Sequence, residues 1–235
     1  MSKKTLIAAL LFGSVSLAHA QTIIPKAGIT ISNLAANQFV GDMENHISSR
    51  SGFVIGAAYN LSVGTVGKGI FSVQPEITFI QKGFKVDASG EFFGSESFYT
   101  INTKQEYKIN YLEFPVLAKL AFGTDKIRFA VNAGPSIGFG LGGKFKGTTH
   151  VTDNADYNET TDAKGKIHFY DSDELNSVEF DHNVDFGIQG GVGIILLNHL
   201  AFDVRYGTSL TNLNHNNKSK NNVLQFTVGV PIQFN

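Results

Sequence analysis

The chain has 235 residues, a formal net charge of −1 at pH 7 and no cysteine. This length suits one domain, and the near-neutral charge provides no global field that would attract nucleic acid, so no nucleic-acid partner is expected. The absence of cysteine excludes a disulfide framework and a cysteine-linked lipid anchor. Twenty Phe, seven Tyr and 25 Gly against two Met make a composition typical of β-structure.

The first 20 residues have the features of a Sec-type secretory signal peptide. Lys3 and Lys4 form a positive start, residues 5–17 are mostly apolar, and Ala18-His19-Ala20 is a small-residue cleavage site. The apolar run is shorter than the roughly 20 residues that a membrane-spanning helix needs. We therefore expect residues 1–20 to be cleaved and residues 21–235 to form a domain beyond the inner membrane.

Eight later segments alternate apolar and polar residues with the two-residue period of a β-strand. They span 27–32, 53–63, 71–80, 111–120, 127–140, 184–196, 200–207 and 224–234. After residue 20 no stretch approaches 18 uninterrupted apolar residues, so no spanning helix is expected. Strands with one apolar and one polar face suit a wall between lipid and a polar lumen.

The connections between these segments alternate in length. The short ones are 64–69, 123–126 and 198–199, and the long ones are 33–50, 83–107, 142–182 and 212–222. Outer-membrane barrels have short periplasmic turns and long extracellular loops, and they must close so that every backbone polar group is paired. The sequence therefore predicts an all-β fold: an eight-stranded antiparallel transmembrane β-barrel in the bacterial outer membrane. Loops 83–107 and 142–182 are expected to contact a surface or envelope protein partner.

The predicted inward faces carry charges of both signs. The candidate lumen charge network consists of Glu76, Glu113, Lys119, Arg128, Asp185, Asp203 and Arg205. An eight-stranded barrel is just wide enough for its own side chains, and a buried charge without a partner is costly. These side chains are therefore expected to pair across a plugged lumen. The alternative is a narrow path for ions or water lined by Glu76, Glu113 and Arg205.

The C-terminal segment resembles the insertion signal of outer-membrane barrels. The residues that carry the resemblance are Thr227, Gly229, Ile232 and Phe234, although Phe234 is penultimate because Asn235 follows it. This pattern implies that the barrel-assembly machinery is a partner during biogenesis and that outer-membrane lipid surrounds the finished protein.

A longer stretch resembles a known family. Residues 109–119 resemble the central strand of the outer membrane protein β-barrel domain (porin family, PorT-like). Residues 74–76 with 81–83, and residues 133–138, resemble its flanking strands, and residues 26–29 with 32–34 resemble its first strand. The resemblance implies an eight-stranded outer-membrane barrel and says little about activity, because one fold hosts many functions.

Catalytic residues are not apparent. The six histidines beyond residue 20 belong to no nucleophile motif, and no G-x-S-x-G occurs; they are His46, His150, His168, His182, His199 and His215. Asp171-Ser172-Asp173-Glu174 offers oxygen ligands but lacks the EF-hand pattern, so a hydrophilic surface loop is favoured. No enzyme activity, cofactor or metal ion is expected.

The favoured function is a non-enzymatic scaffold that presents surface loops for binding or serves an envelope complex. Three alternatives remain open at this point: a narrow porin-like diffusion channel, an outer-membrane lipid-modifying enzyme, and a soluble periplasmic ligand-binding barrel.

Overall fold

The computed structural model describes residues 21–36, 44–93, 98–153, 157–169, 176–213 and 219–234. No helix long and apolar enough to cross a membrane occurs in those residues. The expected signal peptide lies outside them, as do Asp171 to Glu174 of the acidic stretch and His215. The strands are β1 (Gln21–Ala36), β2 (Glu44–Val66), β3 (Gly69–Phe93), β4 (Phe98–Gly123), β5 (Ile127–Asp153), β6 (Asn158–Phe169), β7 (Ser177–Phe180), β8 (Val184–Leu196), β9 (Leu200–Ser209), β10 (Ser219–Gly229) and β11 (Ile232–Phe234).

Eight of these strands form a closed antiparallel ring in the order β1, β2, β3, β4, β5, β8, β9, β10 and back to β1. At the closing seam Ala27 of β1 pairs with Val228 of β10. β11 continues β10 after a break and also pairs with β1, where Ile23 opposes Ile232. The ring leaves no strand edge within it that lacks a neighbour, as lipid requires. The predicted eight-stranded barrel is confirmed.

The predicted faces of the barrel are also confirmed. Outward side chains such as Ile29, Phe129 and Val192 are 58%, 59% and 58% exposed, whereas inward Thr30 and Gln225 are buried. Apolar residues outside and polar residues inside reverse the usual order of a soluble protein. This distribution is the one that a barrel wall in lipid needs.

The predicted loops 83–107 and 142–182 are largely β-strand in their described residues. β3, β4 and β5 have 25, 26 and 27 residues, far more than the roughly 9–11 that cross a membrane. β3 and β4 stay paired as far as Phe93 opposite Phe98. Above the lipid the outer face of the barrel is in water, so polar side chains lie outside and apolar side chains lie inside. There Phe84 is buried inside the barrel and Lys85 is exposed outside it.

β6 and β7 lie beside this upper extension and outside the eight-stranded ring. β6 pairs antiparallel with β5, where Gly143 opposes Ile167, and β7 pairs parallel with β6. They bring Ile167 and Phe180 into an apolar core above the lumen. The buried members of that core are Leu34, Val54, Ile80, Phe84, Val86, Ile109, Tyr111, Ile167, Phe180, Leu213 and Val223.

Prolines within the strands coincide with gaps in the pairing. Between β3 and β4 the pairing lapses after Pro75 opposite Val116 and resumes at Thr78. Between β4 and β5 it lapses after Pro115 opposite Ser136. The unpaired stretches are 76–77 opposite 114–115 and 116–117 opposite 134–135, so Pro115 lies in the first and Pro135 in the second. Proline has no N–H to donate to the ladder at these positions.

Candidate functional site in the barrel lumen

The lower part of the lumen, nearer the short turns, is filled by a cluster that we call the lower charge layer. Its members are Lys26, Gln74, Glu76, Lys119, Asn132, Asp203 and Arg205. At its centre Arg205 Nη1 donates to both carboxylate oxygens of Glu76, each at 2.8 Å. Lys26 Nζ from β1 donates to the same carboxylate, and Gln74 Nε2 donates to it at 2.6 Å. The Glu76 carboxylate therefore gathers donors from β1, β3 and β9.

The remaining members connect this centre to the opposite wall. Arg205 Nη2 lies 3.6 Å from Asp203 Oδ1, and Asn132 Nδ2 donates to that oxygen at 3.3 Å. Lys119 Nζ donates to Gln74 Oε1 at 3.1 Å. These contacts link residues of five strands across the lumen.

Glycine on β8 makes room for the large side chains of this layer. A Cβ added to Gly191 would lie 2.7 Å from Cγ of Arg205 and 2.2 Å from the Val204 carbonyl oxygen. A Cβ on Gly193 would lie 2.7 Å from an Asp203 carboxylate oxygen. The space left by the inward glycines of β8 is thus occupied by side chains of β9.

A second cluster, which we call the upper charge layer, lies nearer the extracellular end. Its members are Lys82, Glu113, Asp185, Gln189 and Thr211. Lys82 Nζ lies 3.0 Å from Asp185 Oδ2 and 3.7 Å from Glu113 Oε2. Thr211 Oγ1 donates to Asp185 Oδ1 at 3.1 Å, and Gln189 Nε2 donates to Glu113 Oε1 at 3.4 Å.

Tyr111 joins the upper charge layer to the apolar core above it. Lys82 Nζ lies 5.0 Å from the centroid of the Tyr111 ring, within the range of a cation–π contact. The Tyr111 ring also contacts Phe169 of β6 in an edge-on arrangement, with centroids 5.9 Å apart. Phe169 in turn lies 6.2 Å from Phe180 of β7.

The formal charges of the two layers taken together sum to zero. Their cations are Lys26, Lys82, Lys119 and Arg205, and their acids are Glu76, Glu113, Asp185 and Asp203. Burying a charge is tolerated when partners and hydrogen bonds compensate its desolvation. The lower layer has one extra cation and the upper layer one extra acid, so the lumen as a whole is neutral in formal charge.

Little open space remains between these groups. The cavity beside Lys82, Glu113 and Asp185 has a volume of about 10 Å³, which is at most enough for one water molecule. A vestibule of about 240 Å³ opens at the short-turn end and reaches Lys119. It stops at the lower charge layer, because the side chains above it are nearly fully buried.

Six of the seven predicted lumen charges lie in the two layers. Arg128 does not, because it pairs with Asp125 at 2.6 Å at the mouth of the vestibule, where the Asp125 side chain is 84% exposed. The sequence reasoning missed Lys26 and Lys82, which complete the lower and upper layers. Both could have been found from the alternation pattern, because each lies two residues along its strand from a position that was predicted to face inward.

The predicted insertion-signal residues lie at the closing seam. Thr227 and Gly229 are buried and face inward, whereas Ile232 and Phe234 are exposed on the outer face, 46% and 52% respectively. Their recognition by the assembly machinery stays a prediction. No group of three or more His, Cys, Asp or Glu side chains arranged to hold a metal ion occurs in the described residues.

The sequence comparison decides the family. A family model described as "Outer membrane protein beta-barrel domain" matches residues 19–215. The chain belongs to this family. Its location is therefore the bacterial outer membrane, which excludes the soluble periplasmic barrel and agrees with the exposed apolar belt. No curated protein sequence matches the chain significantly.

Several solved structures are similar to the chain. Ail, the attachment invasion locus protein of Yersinia pestis, is 12% identical, with 91% of this chain and 99% of that chain covered and a TM-score of 0.38. OprG from Pseudomonas aeruginosa is 12% identical, with coverages of 92% and 97% and a TM-score of 0.39. Neisserial surface protein A is 9% identical, with coverages of 90% and 98% and a TM-score of 0.37.

Proposed function

We propose that this outer-membrane barrel is a non-enzymatic scaffold with a closed lumen, whose extended hairpins contact an envelope or surface partner outside the membrane. The observation that carries the proposal is the succession of barriers along the lumen. The lower charge layer, the upper charge layer and the apolar core lie one above another.

The closed lumen argues against the diffusion channel. A conducting pore needs a continuous water path, and its charged groups keep part of their hydration. Here the Glu76 side chain is 0% exposed and the Arg205 side chain 2% exposed, and the two form a buried ion pair at 2.8 Å. An ion would have to break these pairs and then cross the apolar side chains of Ile109 and Tyr111, which are fully buried.

The tip of the β3–β4 hairpin supports the partner contact. Phe92, Phe93 and Phe98 are 47%, 78% and 48% exposed there, and the rings of Phe93 and Phe98 lie 4.0 Å apart. Phe98 is 14 residues beyond Leu112, the last residue of the apolar lipid-facing series on β4, which corresponds to about 45 Å along a strand. An exposed aromatic cluster so far from lipid is the kind of surface that binds another protein.

Solute uptake by proteoliposomes tests the closed lumen. Folded protein, verified by its heat-modifiable mobility in gels, is reconstituted and exposed to an osmotic step with a small sugar or an amino acid. We expect swelling no faster than that of protein-free liposomes, with a general porin as the positive control. Swelling that rises with the amount of barrel protein would favour the channel instead.

Photo-crosslinking in living cells tests the partner contact. A photoreactive residue at position 93 is expected to give a protein adduct of defined mass. The same residue at position 114, on the lipid-facing side of β4, and at position 68, in a periplasmic turn, serve as matched controls. Adducts at position 93 no different from those at position 114 would contradict the scaffold proposal.

A further inference from the structure

A strongly basic groove lies on the outer surface of the barrel extension. It has a volume of about 430 Å³, and its cationic side chains belong to Arg50, Lys108, Lys144, Lys146, Lys164 and Lys166. One carboxylate, Glu106, is among its lining residues. Since the whole chain has a net charge of −1, this concentration of positive charge is a local feature and does not reflect the average composition.

The strand register places like charges side by side in the basic groove. Lys108 of β4 lies opposite Lys144 of β5, which in turn lies opposite Lys166 of β6. Neighbouring strands are about 4.8 Å apart, and like charges directly opposite each other destabilise a sheet. Such an arrangement is favourable when an anion occupies the space above it.

Glu106 sets the edge of the basic groove. Its carboxylate accepts from Arg50 Nε at 2.9 Å and lies 3.0 Å from Lys146 Nζ. It holds these two cations in place. Among the residues that line the groove, cationic side chains outnumber carboxylates six to one.

The height of the basic groove indicates which anion it meets. Lys108 is on the same face of β4 as the lipid-facing Leu112 and Val116, because these positions share one parity on an unbulged strand. Lys108 is four residues beyond Leu112, or about 13 Å along the strand. That distance puts the groove at the headgroup level of the outer leaflet, directly above the apolar belt.

We propose that the basic groove binds the phosphate groups of the phosphorylated glycolipid, lipopolysaccharide, that forms the outer leaflet. Lysine ammonium groups act as point charges toward phosphate oxygens, and clustered basic residues beside a membrane bind anionic lipid headgroups. Lysine side chains can lay their aliphatic stems against apolar surface while the ammonium groups stay in water, so these stems can cover the upper part of the lipid. A soluble phosphate or polyanion shares this chemistry, but the continuity of the groove with the lipid-facing belt favours the lipid.

Binding of purified lipid A to the folded barrel in detergent tests the proposal. The double variant K108Q/K144Q removes the central pair of opposite lysines. Native mass spectrometry is expected to give an affinity for bis-phosphorylated lipid A about 30-fold weaker than that of the wild type. The control K68Q/K126Q removes two exposed lysines from the periplasmic turns and is expected to leave the affinity unchanged.

Further measurements distinguish binding of the lipid from binding of other anions. Dephosphorylated lipid A is expected to bind weakly to every variant, and E106Q is expected to bind the phosphorylated form more tightly than the wild type. Equal affinity of the wild type and K108Q/K144Q for phosphorylated lipid A would overturn the proposal. Displacement of the lipid by millimolar inorganic phosphate would also overturn it, because the groove would then be a site for the free anion.

Discussion

Arg205 Nη1 donates to both carboxylate oxygens of Glu76 at 2.8 Å, across 129 residues of sequence. This contact ties β9 to β3 through the centre of the barrel, and Lys26 adds β1 to the same carboxylate. The lumen is thus held by side chains that span it, in addition to the hydrogen bonds of the wall. The stability of the barrel and the closure of its lumen depend on the same group.

Replacing Glu76 by Gln is expected to destabilise the barrel more than replacing Arg205 by Met. Glu76 neutralises two cations, whereas loss of Arg205 leaves the pair between Lys26 and Glu76. Removing one partner from a buried ion pair typically costs about 3–5 kcal/mol. Urea unfolding in detergent micelles, followed by far-UV circular dichroism because the chain has no Trp, measures the difference.

Arg128→Gln is the control for this comparison. The Arg128 side chain is 24% exposed and its partner Asp125 is 84% exposed, so the free energy of unfolding should change by less than about 1 kcal/mol. If R205M lowers the free energy of unfolding as much as E76Q or more, Glu76 is not the central group of the lower charge layer.

Gly191→Ala is expected to destabilise the barrel by about 1–3 kcal/mol, because the new methyl group overlaps Cγ of Arg205 and the Val204 carbonyl oxygen. Gly64→Ala is the matched control, since an added Cβ there meets nothing within 4 Å. Parallel urea titrations of the two variants give the comparison. Equal stabilities would mean that the space beside Gly191 is open.

The sequence alone predicts the wall of the barrel well. A residue that faces lipid must be apolar and its neighbour faces the lumen, so the period-2 pattern identifies both the strands and their faces. Phe129 and Val131 on the outside and Asn132 on the inside of β5 illustrate this. The lipid constraint acts on each strand separately and can therefore be read locally.

The parts that the sequence did not predict depend on contacts between distant strands or on a change of solvent. Lys82 lies between the predicted strand 71–80 and the predicted loop 83–107, because the pattern of lipid-facing residues ends near it, yet β3 continues to Phe93. Beyond the membrane the apolar side turns inward, and β6 and β7 supply Ile167 and Phe180 to that core. The pairing of each acid with its cation depends on how the barrel closes, and no local sequence pattern encodes that closure.

Acid pH is expected to loosen the extended β4–β5 hairpin beside Glu106. The hydrogen bond from Lys146, together with that from Arg50, lowers the pKa of the Glu106 carboxyl below its usual value of 4.5. Burial acts in the opposite direction and is outweighed. A lowered pKa in the folded state means stability that is complete above the ordinary value and is lost as the pH falls through the lowered one. Hydrogen exchange of the amides around Lys146, corrected for intrinsic rates, should accelerate only at a pH below the ordinary carboxyl value of 4.5.

Glu106→Gln provides the control for the acid effect, because a neutral amide at that position removes the titration. Exchange around Lys146 in E106Q should be faster than in the wild type at pH 7 and should lack the additional acid step. An identical acid step in the variant would assign the effect to another carboxyl.

Leu197→Asn is expected to stabilise the turn between β8 and β9 by about 1 kcal/mol. Leu197 and Asn198 have φ values of 51° and 58°, and the His199 N–H closes the turn on the Leu196 carbonyl at 2.9 Å. Asn tolerates this left-handed conformation better than Leu does, whereas a β-branched residue tolerates it least. The midpoint of thermal unfolding should therefore be highest for L197N, lower for the wild type and lowest for L197V. A higher midpoint for L197V than for the wild type would show that the backbone at position 197 is not strained.

Single-channel recording in a planar bilayer tests the closed lumen most directly. Mature protein, folded by the criterion of heat-modifiable gel mobility, should insert without producing discrete current steps at any voltage that the bilayer withstands. Reproducible openings whose conductance shifts in Glu113→Gln or Arg205→Lys would place these side chains along an ion path. That result would contradict the account of a lumen closed by its own charge layers.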